Sequence, residues 1–205
     1  MYDAIFFDLD GTLIDSPKFW EQAYREVLGN HGFTFTHEDF KRLYPTGAPM
    51  RFWLTELGVD DALQQELRTA RDARYEDLLR TQIEWLPYGE EILRTLQEKS
   101  MPTAIITGSH RSYIEAIDER LPLSQMTGMV ITEDDMDAKP HGLRMCMEHF
   151  GVTADRCLYI GDQPFDLSAA RAVDMEFCLV PATYTPQTLI DNTPRSEPSL
   201  QFLFN

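Results

Sequence analysis

Residues 4–12 read Ala4-Ile5-Phe6-Phe7-Asp8-Leu9-Asp10-Gly11-Thr12. A short apolar run that stops at an acid has the composition of a strand buried on both faces, as in parallel sheets. Gly11 marks a tight turn directly after it. The strand therefore delivers Asp8 at its carboxyl end, with Asp10 two residues further on. One carboxylate can serve as a nucleophile while the other moves a proton. Carboxylates accept phosphoryl groups because their attack divides one hard displacement into two easier ones. Taken singly, the pair also fits an acidic surface turn.

Downstream, residues 15–86 have helical grammar. Ser16-Pro17 offers an N-cap followed by proline at the first helical position. Phe19, Ala23 and Val27 recur on one helical face. Thr36-His37-Glu38-Asp39 resembles a capping box with Asp in place of the preferred Glu or Gln. Pro45, Gly47 and Pro49 break the next stretch, and a long polar helix runs from Leu63 to about Arg80. No strand is evident in this segment.

After Pro87 the pattern alternates. Strands are predicted over 104–107, 129–132, 158–160 and 177–180, and helices over 109–121, 142–150 and 164–173. The tail from Pro181 holds four prolines and reads as irregular until residues 200–204 pack back. Repeated βα units imply a mostly parallel sheet covered on both faces. The expected fold is therefore α/β: a Rossmann-like, doubly wound parallel sheet formed by residues 1–14 and 87–205, with an all-helical insertion over 15–86. Asp8, Thr107 and Asp162 all fall at or just past a strand's carboxyl end, where open parallel sheets bind ligands.

Three further stretches join the first at that crevice. Thr107-Gly108-Ser109 places a hydroxyl at a strand end before a helix start, a set of donors that suits a phosphate; Ser109 also fits an ordinary N-cap. Lys139-Pro140 puts a lysine ahead of a helix, where it can neutralise a phosphoryl oxygen or a carboxylate, or simply be solvated. Gly161-Asp162-Gln163-Pro164-Phe165-Asp166 opens a helix with two acids, which also suits a helix dipole. Mg2+ takes oxygen ligands and keeps several waters, so Asp8, Asp162 and the backbone carbonyl of Asp10 can form its set.

Bulk properties limit the partners. The 205 residues carry a formal charge of -16, with 43% hydrophobic and 25% charged residues, values of an ordinary globular chain. So acidic a chain repels nucleic acid and anionic membranes. An anionic ligand must then be drawn by a local cation. The three cysteines, Cys146, Cys157 and Cys178, lack metal-like spacing and read as buried thiols of a reducing compartment. No apolar run approaches a membrane span and no signal peptide is evident, so the expected location is cytoplasmic.

The four stretches, in this order and each at a strand end, resemble the haloacid dehalogenase-like hydrolase superfamily from residue 4 to about 180. The likeness is greatest to members with a helical cap inserted after the first strand, such as phosphoglycolate phosphatase and β-phosphoglucomutase. It implies a Mg2+-dependent phosphatase that acts on a small phosphorylated metabolite through an aspartyl-phosphate, as a monomer or weak homodimer. By position, Asp8 corresponds to the nucleophile and a metal ligand. Asp10 corresponds to the general acid and base, its carbonyl also touching the metal. Thr107 and Lys139 correspond to the phosphate-binding pair, with Gly108 and Ser109 beside them. Asp162 corresponds to a metal ligand and Asp166 to an outer acid orienting Lys139 or a water on the metal.

Three departures stand out: Gln163 where Ser is frequent, His141-Gly142 where an acid and Pro are frequent, and Asp174 near a frequent glycine. Within the cap, the 44–53 loop is expected to face the crevice and Phe52 and Trp53 to form cap core, while Arg51 is the candidate to grip a substrate anion or else a solvated helix charge; in the core, His110 and Arg111 follow the phosphate turn as candidates to line its rim. Thr12 favours a phosphatase; a sugar phosphomutase or a non-catalytic module on the same fold are the alternatives.

Overall fold

The computed structural model describes residues 2–204. Five parallel strands, β1 (Ala4–Phe7), β2 (Thr103–Ile106), β3 (Met129–Ile131), β4 (Cys157–Gly161) and β5 (Glu176–Leu179), form one sheet in the order β3-β2-β1-β4-β5. β1 lies at its centre, with Phe6 facing Ala104 on one side and Tyr159 on the other.

Side-chain alternation divides each inner strand between two cores. Ile5 and Phe7 of β1 join Ile105, Leu158 and Ile160 on one face, where they meet α5 (Gly89–Glu98) and α6 (Arg111–Asp118). Ala4 and Phe6 join Ala104, Ile106 and Tyr159 on the other, against α7 (Lys139–Phe150) and α8 (Pro164–Arg171). This is the expected doubly wound arrangement, and it explains why the strands are apolar throughout rather than alternating with polar residues.

Between β1 and β2 the chain forms α1 (Pro17–Asn30), α2 (His37–Leu43), α3 (Met50–Glu56) and α4 (Asp61–Gln82). The Thr36–Asp39 capping box is formed: Thr36 N–H donates to Asp39 Oδ2 at 2.9 Å and Asp39 N–H returns to Thr36 Oγ1 at 3.2 Å. Tyr24, Phe35, Phe40, Leu54 and Trp53 make a core within these helices. Phe19, Ala23, Tyr75, Leu78 and Leu79 belong instead to the β1 core, so α1 and α4 pack in both directions. The two connections run side by side: Asp15 N–H donates to Glu84 O at 3.1 Å and Leu86 N–H to Leu13 O at 2.9 Å.

Several sequence expectations need correction. The helix α5 was not foreseen, although Ile92, Leu93 and Leu96 give it a buried stripe. A short α9 (Gln187–Asn192) interrupts the tail whose prolines suggest irregular chain. Helix α7 starts at Lys139 rather than at residue 142, because Pro140 is favourable in a first turn. Lys139 is thus a helical residue and not part of a loop. Helix α6 is capped by His110, not Ser109. Ser16 is the N-cap of α1 but makes no side-chain capping bond. Phe52, expected in the helical core, is 47% exposed, while its neighbour Trp53 is buried. The two point to different sides of α3.

Candidate active site

The site begins where β1 ends. Asp8 N–H still donates to Ile160 O at 2.8 Å, extending the pairing with β4. Thr107 N–H does the same from β2 to Ile131 O at 2.9 Å. These bonds fix the backbone from which the side chains project. Gly11 then turns with φ +87°, a left-handed conformation that glycine adopts at little cost. A Cβ there would lie 2.8 Å from Asp162 Oδ2, so the first loop touches the second acid only because residue 11 has no side chain. Gly161 plays the same part on the far side, where a Cβ would lie 2.7 Å from Asp166.

Three buried carboxylates, Asp8, Asp162 and Asp166, converge with oxygens within 4.8 Å of one another. Lys139 Nζ lies 2.5 Å from Asp8 Oδ1 and 2.6 Å from Asp166 Oδ1, with its side chain only 10% exposed. Tyr159 donates to Asp166 Oδ1 at 3.0 Å, and the Phe165 ring lies 5.0 Å from the ammonium. Thr12 Oγ1 sits 3.4 Å from both Asp8 Oδ2 and Asp162 Oδ1.

One ammonium does not compensate three carboxylates. Burial and the neighbouring Asp166, outweighing Lys139, push the Asp8 carboxyl up to about 8. Burial, with Asp8 and Asp166, raises Asp162 as well. Burial alone would lower Lys139, but Asp166 and Asp8 outweigh it and hold the ammonium charged. A buried set of hard oxygen donors with excess negative charge is what a small divalent cation requires, so these residues fit a Mg2+ ion. Asp166, expected outside that set, lies within the cluster while bonding Lys139.

Asp10 stands apart from the other acids, in a cage of hydroxyls. Thr107 Oγ1 and Ser109 Oγ each donate to its Oδ2 at 2.8 Å. Ser16 donates to Oδ1 at 2.6 Å, and Tyr75 of α4 approaches the same oxygen at 3.4 Å. The Thr107-Gly108-Ser109 turn therefore does converge on the site, but in this state its hydroxyls hold Asp10. Ser109 N–H folds back onto Thr107 Oγ1 at 3.0 Å, and Gly108 is the exposed apex.

The helical insertion contributes from above. Tyr44 leads the turn after α2, half-buried and stacked on Phe40; its phenol is raised well above its usual value by burial and then by Asp162, Asp10 and Asp8. Gly47 packs against Phe165, where a Cβ would lie 3.2 Å from the ring. Arg51 is not brought to the acids; it is exposed on α3. His110 and Arg111 pair with Asp134 and Asp135 at the outer edge.

Sequence reading misses Tyr75 and Tyr159; it takes Ser16 only as a helix cap, Gln163 only as a departure from the family pattern, and Tyr44 only as part of the 44–53 loop. Tyr159 carried a signal, because a tyrosine in a fully buried strand needs a partner for its hydroxyl. Tyr75 carried none: its acid lies 65 residues away.

Comparison with known proteins agrees with this geometry. The haloacid dehalogenase-like hydrolase profile matches residues 5–180. A phosphoglycolate phosphatase of Xanthomonas campestris pv. campestris is 29% identical over 176 residues, covering 84% of this chain and 80% of that one. The fructose-1-phosphate phosphatase YqaB of Escherichia coli is 27% identical over 183 residues, covering 85% and 94%. Among solved structures, CbbY from Rhodobacter sphaeroides in complex with phosphate shares the fold at a TM-score of 0.83 and 18% identity, covering 97% and 95%.

Proposed function

This chain belongs to the haloacid dehalogenase-like hydrolase family, and on that premise we propose that it is a Mg2+-dependent phosphatase of a small phosphomonoester. The observation that carries the reading is the position of Asp8: buried, at the end of the central strand, and bonded to Lys139 at 2.5 Å. Named phosphatases among its relatives support the reaction class, and sugar phosphates and phosphoglycolate-like acids are the substrates to test first.

Asp8 attacks phosphorus in line and becomes an aspartyl-phosphate as the alcohol leaves. Asp10 protonates the leaving oxygen and then takes a proton from the water that hydrolyses the acyl phosphate. To do so it must exchange some of its bonds with Ser16, Thr107 and Ser109, which frees those hydroxyls for phosphoryl oxygens. Lys139 neutralises the nucleophile and the incoming phosphate together, held in line by Asp166. Asp8, Asp162 and the backbone of Asp10 would hold the Mg2+, with Asp166 beside them; when bound it supplies Lewis-acid stabilisation of phosphoryl charge. The helices over 17–82 act as the cap, with Tyr44 shielding the acids from water.

The test is phosphate release from a panel of phosphomonoesters with Mg2+ and with chelator. Turnover is expected only with metal and is expected to vanish in Asp8→Asn, whose amide is nearly isosteric and a poor nucleophile. Turnover by Asp8→Asn, or full activity in chelator, overturns the reading.

A further inference from the structure

Gln163 is a buried amide with one end unaccounted for. It stands between β4 and α8 and is completely buried. Its Nε2 donates to Asp162 Oδ2 at 2.5 Å, and its backbone N–H donates to Asp166 Oδ2 at 3.0 Å. The Oε1 atom, equally buried, turns toward the Asp166 N–H in a capping-box arrangement, but that N–H is bonded to Gln163 O at 3.1 Å, and Oε1 makes no well-formed hydrogen bond among the described residues. Turning the amide over offers no remedy. It would press an acceptor against a carboxylate and leave the NH2 group unpaired instead.

The carboxamide orientation is therefore set by Asp162, and the orphan is an acceptor. A buried polar atom without a partner is destabilising. Leaving Oε1 in that condition makes physical sense if a donor arrives with a ligand. Among the described residues, Asp162 Oδ1 meets Thr12 Oγ1 alone, at 3.4 Å, so that oxygen is the one left for a cation. Mg2+ dehydrates reluctantly and brings water donors into such a site.

We infer that Gln163 is a positioning residue for the cation: Nε2 fixes the Asp162 carboxylate, and Oε1 accepts a hydrogen bond from a water of the ion's hydration shell. The inference rests on the metal assignment proposed above. A serine hydroxyl at this position is too short to serve both ends, so the glutamine has a use of its own here. Partners of this kind change metal affinity by roughly 10–100-fold when removed.

The test reads Mn2+ binding to the substrate-free protein by electron paramagnetic resonance, together with the melting temperature of the metal-free protein. Gln163→Leu is expected to bind Mn2+ at least tenfold more weakly while the metal-free variant still melts in one cooperative transition. Mn2+ affinity within twofold of wild type overturns the inference, whatever the melting temperature does. Gln163→Ser gives the same readings if the leucine variant does not fold. Asp162→Asn separates the two levels: if it binds Mn2+ as the wild type does, the metal assignment itself fails. If it loses the ion while Gln163→Leu keeps it, only the role given to Gln163 fails.

Discussion

Lys139 and Asp8, 131 residues apart in sequence, meet as a 2.5 Å ion pair beneath the rim of the sheet. The same ammonium reaches Asp166 at 2.6 Å, so one cation ties β1, α7 and α8 together. All three side chains are at most 10% exposed, and solvent screens them little.

Removing that cation leaves two buried acids facing one another. Breaking a buried pair from one side costs ~3–5 kcal/mol. Lys139→Met is expected to lower the stability of the metal-free protein by about that amount near pH 8, and to abolish turnover. Chemical denaturation and phosphate release check the two outcomes. A loss of activity with unchanged stability would show that the pair is not structural.

The raised carboxyls make stability depend on pH in a definite direction. Asp8 titrates near 3.8 in the unfolded chain and about 8 in the folded one, and Asp162 shifts the same way. The native state then holds more protons than the unfolded state between those values. Its contribution to stability is complete below the lower value and disappears as the pH rises through the upper one. The chelator-treated protein is expected to melt progressively lower from pH 5 to pH 8. Mg2+ should restore most at the alkaline end, where it no longer competes with protons, and Asp8→Asn should flatten the profile.

The three thiols should be inert in the folded protein. Burial pushes Cys146 and Cys178 up to about 12 and Cys157 up to about 11, and all three are free and buried. Thiolate is the reactive form. At pH 8 iodoacetamide is expected to label none of them within the time that labels all three in denaturant, as mass spectrometry would show.

Asp174 occupies a left-handed position with φ +53°, a conformation that favours glycine. A side chain there costs about 1 kcal/mol, less for Asp than for most residues. Asp174→Gly is expected to raise the melting temperature by about 2–4 °C without changing turnover. A lower melting temperature would mean that the loss of chain entropy outweighs the relieved strain.

Much of the site could be read from the chain alone, because its parts have local signatures. An apolar run ending in Asp8 declares a buried strand and its carboxyl end. Repeated βα units bring such ends together, so the sequence alone places Asp8, Thr107, Lys139 and Asp162 in one crevice. The misplaced start of α7 and the missed α5 are errors of local grammar, recoverable from Pro140 and from the Ile92-Leu93-Leu96 stripe.

Other features had no local signature. Ser16 reads as a helix cap, yet its hydroxyl holds Asp10 at 2.6 Å. Tyr75 reads as one residue of a polar helix, yet it reaches the same acid. Arg51 has the chemistry to bind an anion but lies exposed on α3. Sequence determined which backbone positions the sheet would gather, since periodicity and turn residues act over a few neighbours. Only tertiary structure decided which side-chain atoms face one another there, because a hydrogen bond depends on tenths of an ångström between segments whose spacing the chain order does not encode.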